Sequence, residues 1–147
     1  MAEVVLRHLV AEDPLLKDHV SITSAGTANW HVGSTMDPRA RAALDRAGYH
    51  LEGSLGTYAD TAYLDRQDLV MVMTREHLRD VQLRLSNADT EVVLWRGLGE
   101  PGHDLEVADP YYGDDDEFDE CLSILSAGGR HLTSVLRARL ERRARDV

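Results

Sequence analysis

The segment richest in chemistry is Asp109-Pro110-Tyr111-Tyr112-Gly113. A carboxyl can give or take a proton, and here a rigid proline, two aromatic rings and a glycine flank it. That composition describes a tight surface loop presenting Asp109 beside aromatic walls. Its plainer reading is a turn with a capping Asp and two half-exposed tyrosines. A second segment, Ser24-Ala25-Gly26-Thr27-Ala28-Asn29-Trp30-His31-Val32-Gly33, follows a strand end, where open α/β sheets bind ligands. Its plainer reading is a structural loop anchored by a buried tryptophan. The one cysteine, Cys121, lies on the apolar pattern of the last helix and reads as a small buried core residue. Seven histidines show no metal-ligand spacing. The aspartates of 109–119 are no calcium loop, because Tyr111 and Gly113 take its third and fifth positions. Neither a metal nor a cofactor is implied.

The elements that must position these residues alternate in type. Val4, Val5, Leu9 and Val10 share one face of an opening helix, Glu3, Arg7 and Glu12 the other, and Pro14 ends it. The β-branched run 20–23 predicts a strand. Asp37-Pro38 predicts a helix start that runs to a stop at Gly48. Residues 51–63 read as loop. Leu69-Val70-Met71-Val72-Met73 suits a strand buried on both faces of a parallel sheet. A helix over 75–84 and a strand over 91–95 follow. A long helix from about Glu117 ends the chain, with Gly128 and Gly129 loosening its middle. The pattern predicts an α/β fold of three layers, α/β/α, around a short parallel sheet.

The 147 residues suit one domain spanning 1–147. Sixteen Lys and Arg against 26 Asp and Glu leave a net charge of −10, which argues against nucleic-acid binding. No apolar stretch approaches a membrane span, and the start lacks the basic, then apolar, pattern of a signal peptide. With a single cysteine, a cytoplasmic setting is the expectation. Residues 109–120 hold seven acids and no base, a surface where a protein partner would engage. Arg137, Arg139, Arg142, Arg143 and Arg145 complement the dipole of the final helix.

Taken together, SAGTANWHVG, MDPRARAALDRAGY, the stretch MTREHLRD at 73–80 and DPYYG resemble the low-molecular-weight protein-tyrosine phosphatases, in that family's order and over nearly the whole chain. The resemblance implies hydrolysis of a phosphotyrosine protein or an aryl phosphate in two steps. A cysteine thiolate attacks phosphorus, an arginine clamps the oxygens, and an aspartic acid protonates the leaving phenolate. Water then cleaves the phosphocysteine. Asp109 matches the general acid. Tyr111 and Tyr112 match the aromatic pair of the cleft, Trp30 matches the ring opposite, and Ser24 matches a serine that supports the phosphate loop.

The chain also departs from the family pattern. It opens at the Met-Ala-Glu that in the family follows the phosphate loop, so the first strand, the Cys-x5-Arg loop, its cysteine and its arginine are absent. Cys121 is no substitute, since Ala127 stands where the arginine is required. The expectation is therefore a family member without thiolate-based activity by itself, its start misassigned or its loop truly lost. The alternative is a pseudophosphatase acting as a protein-binding module. An arsenate reductase would need several redox cysteines. Gly53-Ser54-Leu55-Gly56-Thr57 replaces a family pattern containing His and Arg, and Thr74 stands where an Asp is usual. The absent strand would lie between the strands matching 20–24 and 68–73. Without it, two rows of backbone groups lack partners, at ~1–3 kcal/mol for each buried unmade bond.

Overall fold

A computed structural model describes residues 1–50, 55–98 and 105–145. Helix α1 (Ala2–Glu12) starts without a side-chain cap and ends at an extended Asp13, just before Pro14. Helix α2 (Pro38–Arg46) follows the expected signals. Asp37 caps it by accepting the Arg39 N–H at 2.8 Å, and Gly48 ends it at φ +86°, a conformation glycine adopts without a Cβ penalty. A short helix α3 (Thr61–Leu64) comes next, then strand β1 (Leu69–Val72), helix α4 (Arg75–Arg84), strand β2 (Glu91–Leu94), one 3-10 turn (Pro110–Tyr112) and helix α5 (Asp115–Arg145).

The sheet is parallel, with Leu69 opposite Glu91 and Val72 opposite Leu94. Alternation sends its side chains two ways. Leu69 and Met71 pack with Leu6, Trp95, Cys121 and Leu125, beneath α1 and α5. Val70, Val72, Val92 and Leu94 pack with Leu64 and Val81, against α3 and α4. Beyond α1, the α2 residues Ala43 and Leu44 close on Val4, Val5, Phe118 and Leu122. Helices thus cover both sheet faces, the predicted three layers.

Five local expectations are corrected. Residues 20–23 form no strand. Gly26 pairs with Tyr58 in a single isolated bridge, and residues 21–25 make no backbone–backbone hydrogen bond among the described residues. A ladder needs consecutive partners, and β-branched composition alone does not supply them. Residues 51–54 of the predicted loop lie outside the described residues, and 61–64 turn into α3 because Asp60 caps Tyr63 N–H at 2.7 Å and Leu64 is buried. The β1 run is only half-buried at Leu69, Val70 and Met71. Glu3 is buried instead of solvated, because Ser24 and Arg7 bond its carboxylate. Finally, Gly128 and Gly129 do not interrupt α5. A Cβ at Gly128 would lie 2.2 Å from Trp95 Nε1, and one at Gly129 3.0 Å from Leu9 Cδ1, so these glycines admit close neighbours.

The hydrogen bonds from Glu91 N–H to the Asp68 carbonyl and from Trp95 N–H to the Val72 carbonyl fix which way the β1 backbone points. Strand alternation then turns the N–H and C=O groups of Leu69 and Met71 to the other edge. No backbone partner meets them there among the described residues. Ile22 packs in the same cluster as Leu69 and Met71. Among the described residues, Leu69 and Met71 therefore carry no backbone partner on that edge, while Met73 just beyond β1 accepts the Val107 N–H at 2.9 Å.

Candidate active site

The Asp109 loop is built by its own residues. Asp109 Oδ1 accepts the Tyr111 N–H at 3.0 Å, Pro110 fixes φ at the first position of the turn, and Gly113 N–H closes it on the Pro110 carbonyl at 2.9 Å. The capping reading of Asp109 is therefore correct, and it is compatible with the chemical one. Asp109 is exposed, and Oδ2 makes no hydrogen bond among the described residues. The Tyr111 and Tyr112 rings meet edge to face at 5.1 Å, with Tyr112 97% exposed.

The neighbouring acids have local work. Glu117 Oε2 accepts the Asp114 N–H at 2.8 Å, and Asp114 Oδ1 accepts the Asp116 N–H at 3.1 Å, a reciprocal cap at the positive end of α5. Asp119 pairs with Arg46 at 2.6 Å.

Trp30 stands on a separate loop. Gly33 takes φ +78°, and its N–H bonds the Gly56 carbonyl at 2.9 Å. A Cβ on Gly56 would sit 2.1 Å from the His31 carbonyl oxygen, so only glycine lets these strands of loop touch. Arg84 ties the base of the loop, donating to Thr27 O at 2.8 Å and Ala59 O at 3.2 Å while its guanidinium lies over the Tyr58 ring. Trp30 itself is 78% exposed, which overturns the reading of a buried anchor. Among the described residues it makes no ring contact with either tyrosine of the Asp109 loop.

Ser24 donates to Glu3 Oε2 at 2.5 Å, which links the loop start to the first turn of α1. Cys121 is buried among Leu6, Trp95 and Leu125. Burial pushes its thiol up from the ordinary cysteine range, the negative charge of Asp109 adds to this, and the α-amino group opposes it. A protonated, shielded thiol is a poor nucleophile. Thr74 caps α4 by accepting the His77 N–H at 3.2 Å, the task an Asp would also perform there. Of the replaced pattern, Gly53 and Ser54 lie outside the described residues. No three His, Cys, Asp or Glu side chains converge on a metal position among the described residues. None of their helices is long and apolar enough to cross a membrane.

Sequence reasoning missed Arg39. Its guanidinium reaches from α2 to the Tyr111 carbonyl at 2.9 Å and the Gly113 carbonyl at 3.2 Å. The Asp37-Pro38-Arg39 string marks a helix start, but nothing in it announces a contact over seventy residues away.

A family profile described as low molecular weight phosphotyrosine protein phosphatase matches residues 1–144. A low molecular weight protein-tyrosine-phosphatase of Streptomyces coelicolor is 38% identical over 149 residues, covering 98% of this chain and 89% of that protein. The Mycobacterium tuberculosis low molecular weight protein-tyrosine phosphatase A is 37% identical over 116 residues, covering 76% of this chain and 68% of the other. Among solved structures, the tyrosine phosphatase Wzb of Escherichia coli K30, crystallised with sulphate, superposes with TM-score 0.76 at 26% identity, over 92% of this chain and 87% of its own. An Entamoeba histolytica protein tyrosine phosphatase shares the fold at TM-score 0.84 and 22% identity, over 93% of this chain and 87% of its own. The chain belongs to the low-molecular-weight protein-tyrosine phosphatase family.

Proposed function

We propose that this chain carries the proton-donating half of a phosphotyrosine-hydrolysing site, and that it needs a Cys-x5-Arg segment beyond these 147 residues to turn over. One observation carries the reading: an exposed carboxyl, Asp109, is held by a rigid turn beside two open tyrosines, while the sole thiol is buried, which pushes its pKa up. In the complete reaction, the S–P bond forms as the P–O bond to the aryl group breaks. The phenolate oxygen keeps the electron pair and takes the Asp109 proton. Asp109, now a carboxylate, takes a proton from the water that cleaves the S–P bond. Tyr111, Tyr112 and Trp30 supply apolar surface for the substrate ring. The β1 edge at Leu69 and Met71, without a backbone partner among the described residues, supports an additional strand in the sheet, the position that the family resemblance gives to the strand before the phosphate loop. Ser24 then supports that loop, releasing Glu3. A cytoplasmic setting, with a phosphotyrosine protein as substrate, suits a chain whose one cysteine is a free thiol.

The test joins a Cys-x5-Arg-containing strand and loop ahead of residue 1 and measures hydrolysis of phenyl phosphate and para-nitrophenyl phosphate. Turnover is expected, and Asp109→Asn should lower kcat/KM, which reports the step that expels the phenolate, by about 10²-fold or more for phenyl phosphate. The loss should be smaller for nitrophenolate, which leaves without protonation. Equal losses for both leaving groups would remove Asp109 from the acid role.

The second reading is a non-catalytic binding module at the 109–120 surface. The near-complete exposure of Tyr112 favours it, because an aromatic ring left in water is a contact waiting for a partner. Activity of the extended chain decides against it.

A further inference from the structure

Arg39 lies at the second position of α2, yet two of the four hydrogen bonds its side chain makes among the described residues go to a different part of the chain. Asp37 holds the guanidinium in place, with Oδ1 accepting from Nε at 3.1 Å and Oδ2 from Nη2 at 2.8 Å. The guanidinium is thereby turned so that Nη2 also donates to the Tyr111 carbonyl and Nη1 to the Gly113 carbonyl. Its flat face lies 4.7 Å from the centre of the buried Phe118 ring and 5.6 Å from that of Tyr111. One side chain therefore joins the start of α2, the middle and the C-terminal cap of the 3-10 turn, and the first turn of α5.

We propose that Arg39 is the positioning residue of the Asp109 loop. The inference rests on the reading of Asp109 as proton donor, and adds what keeps that donor aimed. The turn places Asp109 because Asp109 Oδ1 is bonded to the Tyr111 N–H. Holding the Tyr111 and Gly113 carbonyls fixes the 111–112 and 113–114 peptide planes, one inside the turn and one just past its end, and so fixes that turn as a unit. Among the described residues no other hydrogen bond ties the turn to α2: its remaining backbone bond, Gly113 to Pro110, is internal. Lysine could not do this work. A single ammonium reaches one carbonyl at a time and has no planar face to lay on Phe118.

Amide hydrogen exchange followed by NMR tests this on the 147-residue chain, with Arg39→Gln and Arg39→Lys. Charged hydrogen bonds of this kind limit opening, so the Tyr111 and Gly113 amides should exchange about tenfold faster or more in Arg39→Gln. Arg39→Lys should recover part of the protection. Amides of β2 and α4 should keep the parent rates in both. If Arg39→Gln does not fold, the intermediate, local acceleration in Arg39→Lys carries the test. Unchanged rates at Tyr111 and Gly113 would overturn the proposal, as would acceleration spread evenly over the molecule or an Arg39→Lys protein indistinguishable from the parent. No turnover enters this readout, so a chain that failed as a phosphatase after extension would refute the proposed function and leave this result standing.

Discussion

Replacing Gly128 with alanine should destabilise the protein, although the same change in an ordinary helix interior stabilises it by ~1 kcal/mol. The reason is Trp95. An added Cβ would stand 2.2 Å from Nε1 and 2.7 Å from Cδ1 of the indole. Carbon contacts settle at roughly 3.5–4.0 Å, so helix or ring must move by more than an ångström. The ring has little room, being 3% exposed and packed with Leu6, Leu125 and Leu132. Overpacking of a filled core costs ~1–3 kcal/mol and sometimes more. Set against the helix gain, the net loss reaches about 2 kcal/mol. Gly129→Ala is the internal comparison. Its Cβ would meet Leu9 Cδ1 at 3.0 Å and Val5 Cγ1 at 3.3 Å, side-chain ends that can give, so its net effect should be near zero. Urea denaturation of both variants, with and without Trp95→Val, separates the terms. Valine has no atoms where the indole Nε1 and Cδ1 stand, and it also removes a buried Nε1 donor that has no partner among the described residues. In that background Gly128→Ala should become neutral or stabilising, a coupling of about 1 kcal/mol or more. Stabilisation by Gly128→Ala in the parent, or the same cost in both backgrounds, would refute the packing explanation.

Other expectations concern charge, the thiol and the Trp30 loop. Asp65 is held below the usual carboxylate range, first by the Ser86 hydroxyl and then by the Asn87 and Ser86 N–H groups. A depressed folded pKa means the unfolded chain binds the proton more readily. The stability Asp65 contributes is therefore present at neutral pH and is lost as pH falls below about 4. Thermal melts should show Asp65→Asn less stable at neutral pH and the difference closing in acid; a gap independent of pH would contradict this. Cys121 should react with a disulfide reagent far more slowly in the native protein than in urea, and rapid native labelling at slightly acid pH would show a thiolate where none is expected. Arg84→Gln should lower the fluorescence anisotropy of Trp30 and leave that of the buried Trp95 unchanged, because Arg84 holds Thr27 and Ala59 beneath the Trp30 loop.

Much of this architecture was legible where a signal is local. Asp37 before Pro38, Gly48 after the last turn of α2, and Pro14 after α1 each act within a few residues, and the helices begin and end there. The run at 69–72 likewise forms a strand paired with 91–94. Residues 20–23 show the limit. Their composition favours a strand, but a strand exists only through partners, and those groups are not adjacent in sequence. Glu3 misled for the same reason, since its burial depends on Ser24 reaching it from twenty-one residues away. In the site, Asp109, Tyr111 and Tyr112 could be read because one pentapeptide holds acid and aromatics together. Trp30 left two readings open until its exposure was known. Arg39 and Arg84 carry no local mark of what they hold, because both act through carbonyls of distant loops.

Hydrolysis of para-nitrophenyl phosphate by the purified 147-residue chain is the most direct measurement. The predicted rate equals that of the protein-free control, because a donor of protons without an attacking sulfur cannot begin the reaction. A stoichiometric burst of nitrophenolate followed by turnover, with the turnover lost in both Asp109→Asn and Cys121→Ser, would contradict it.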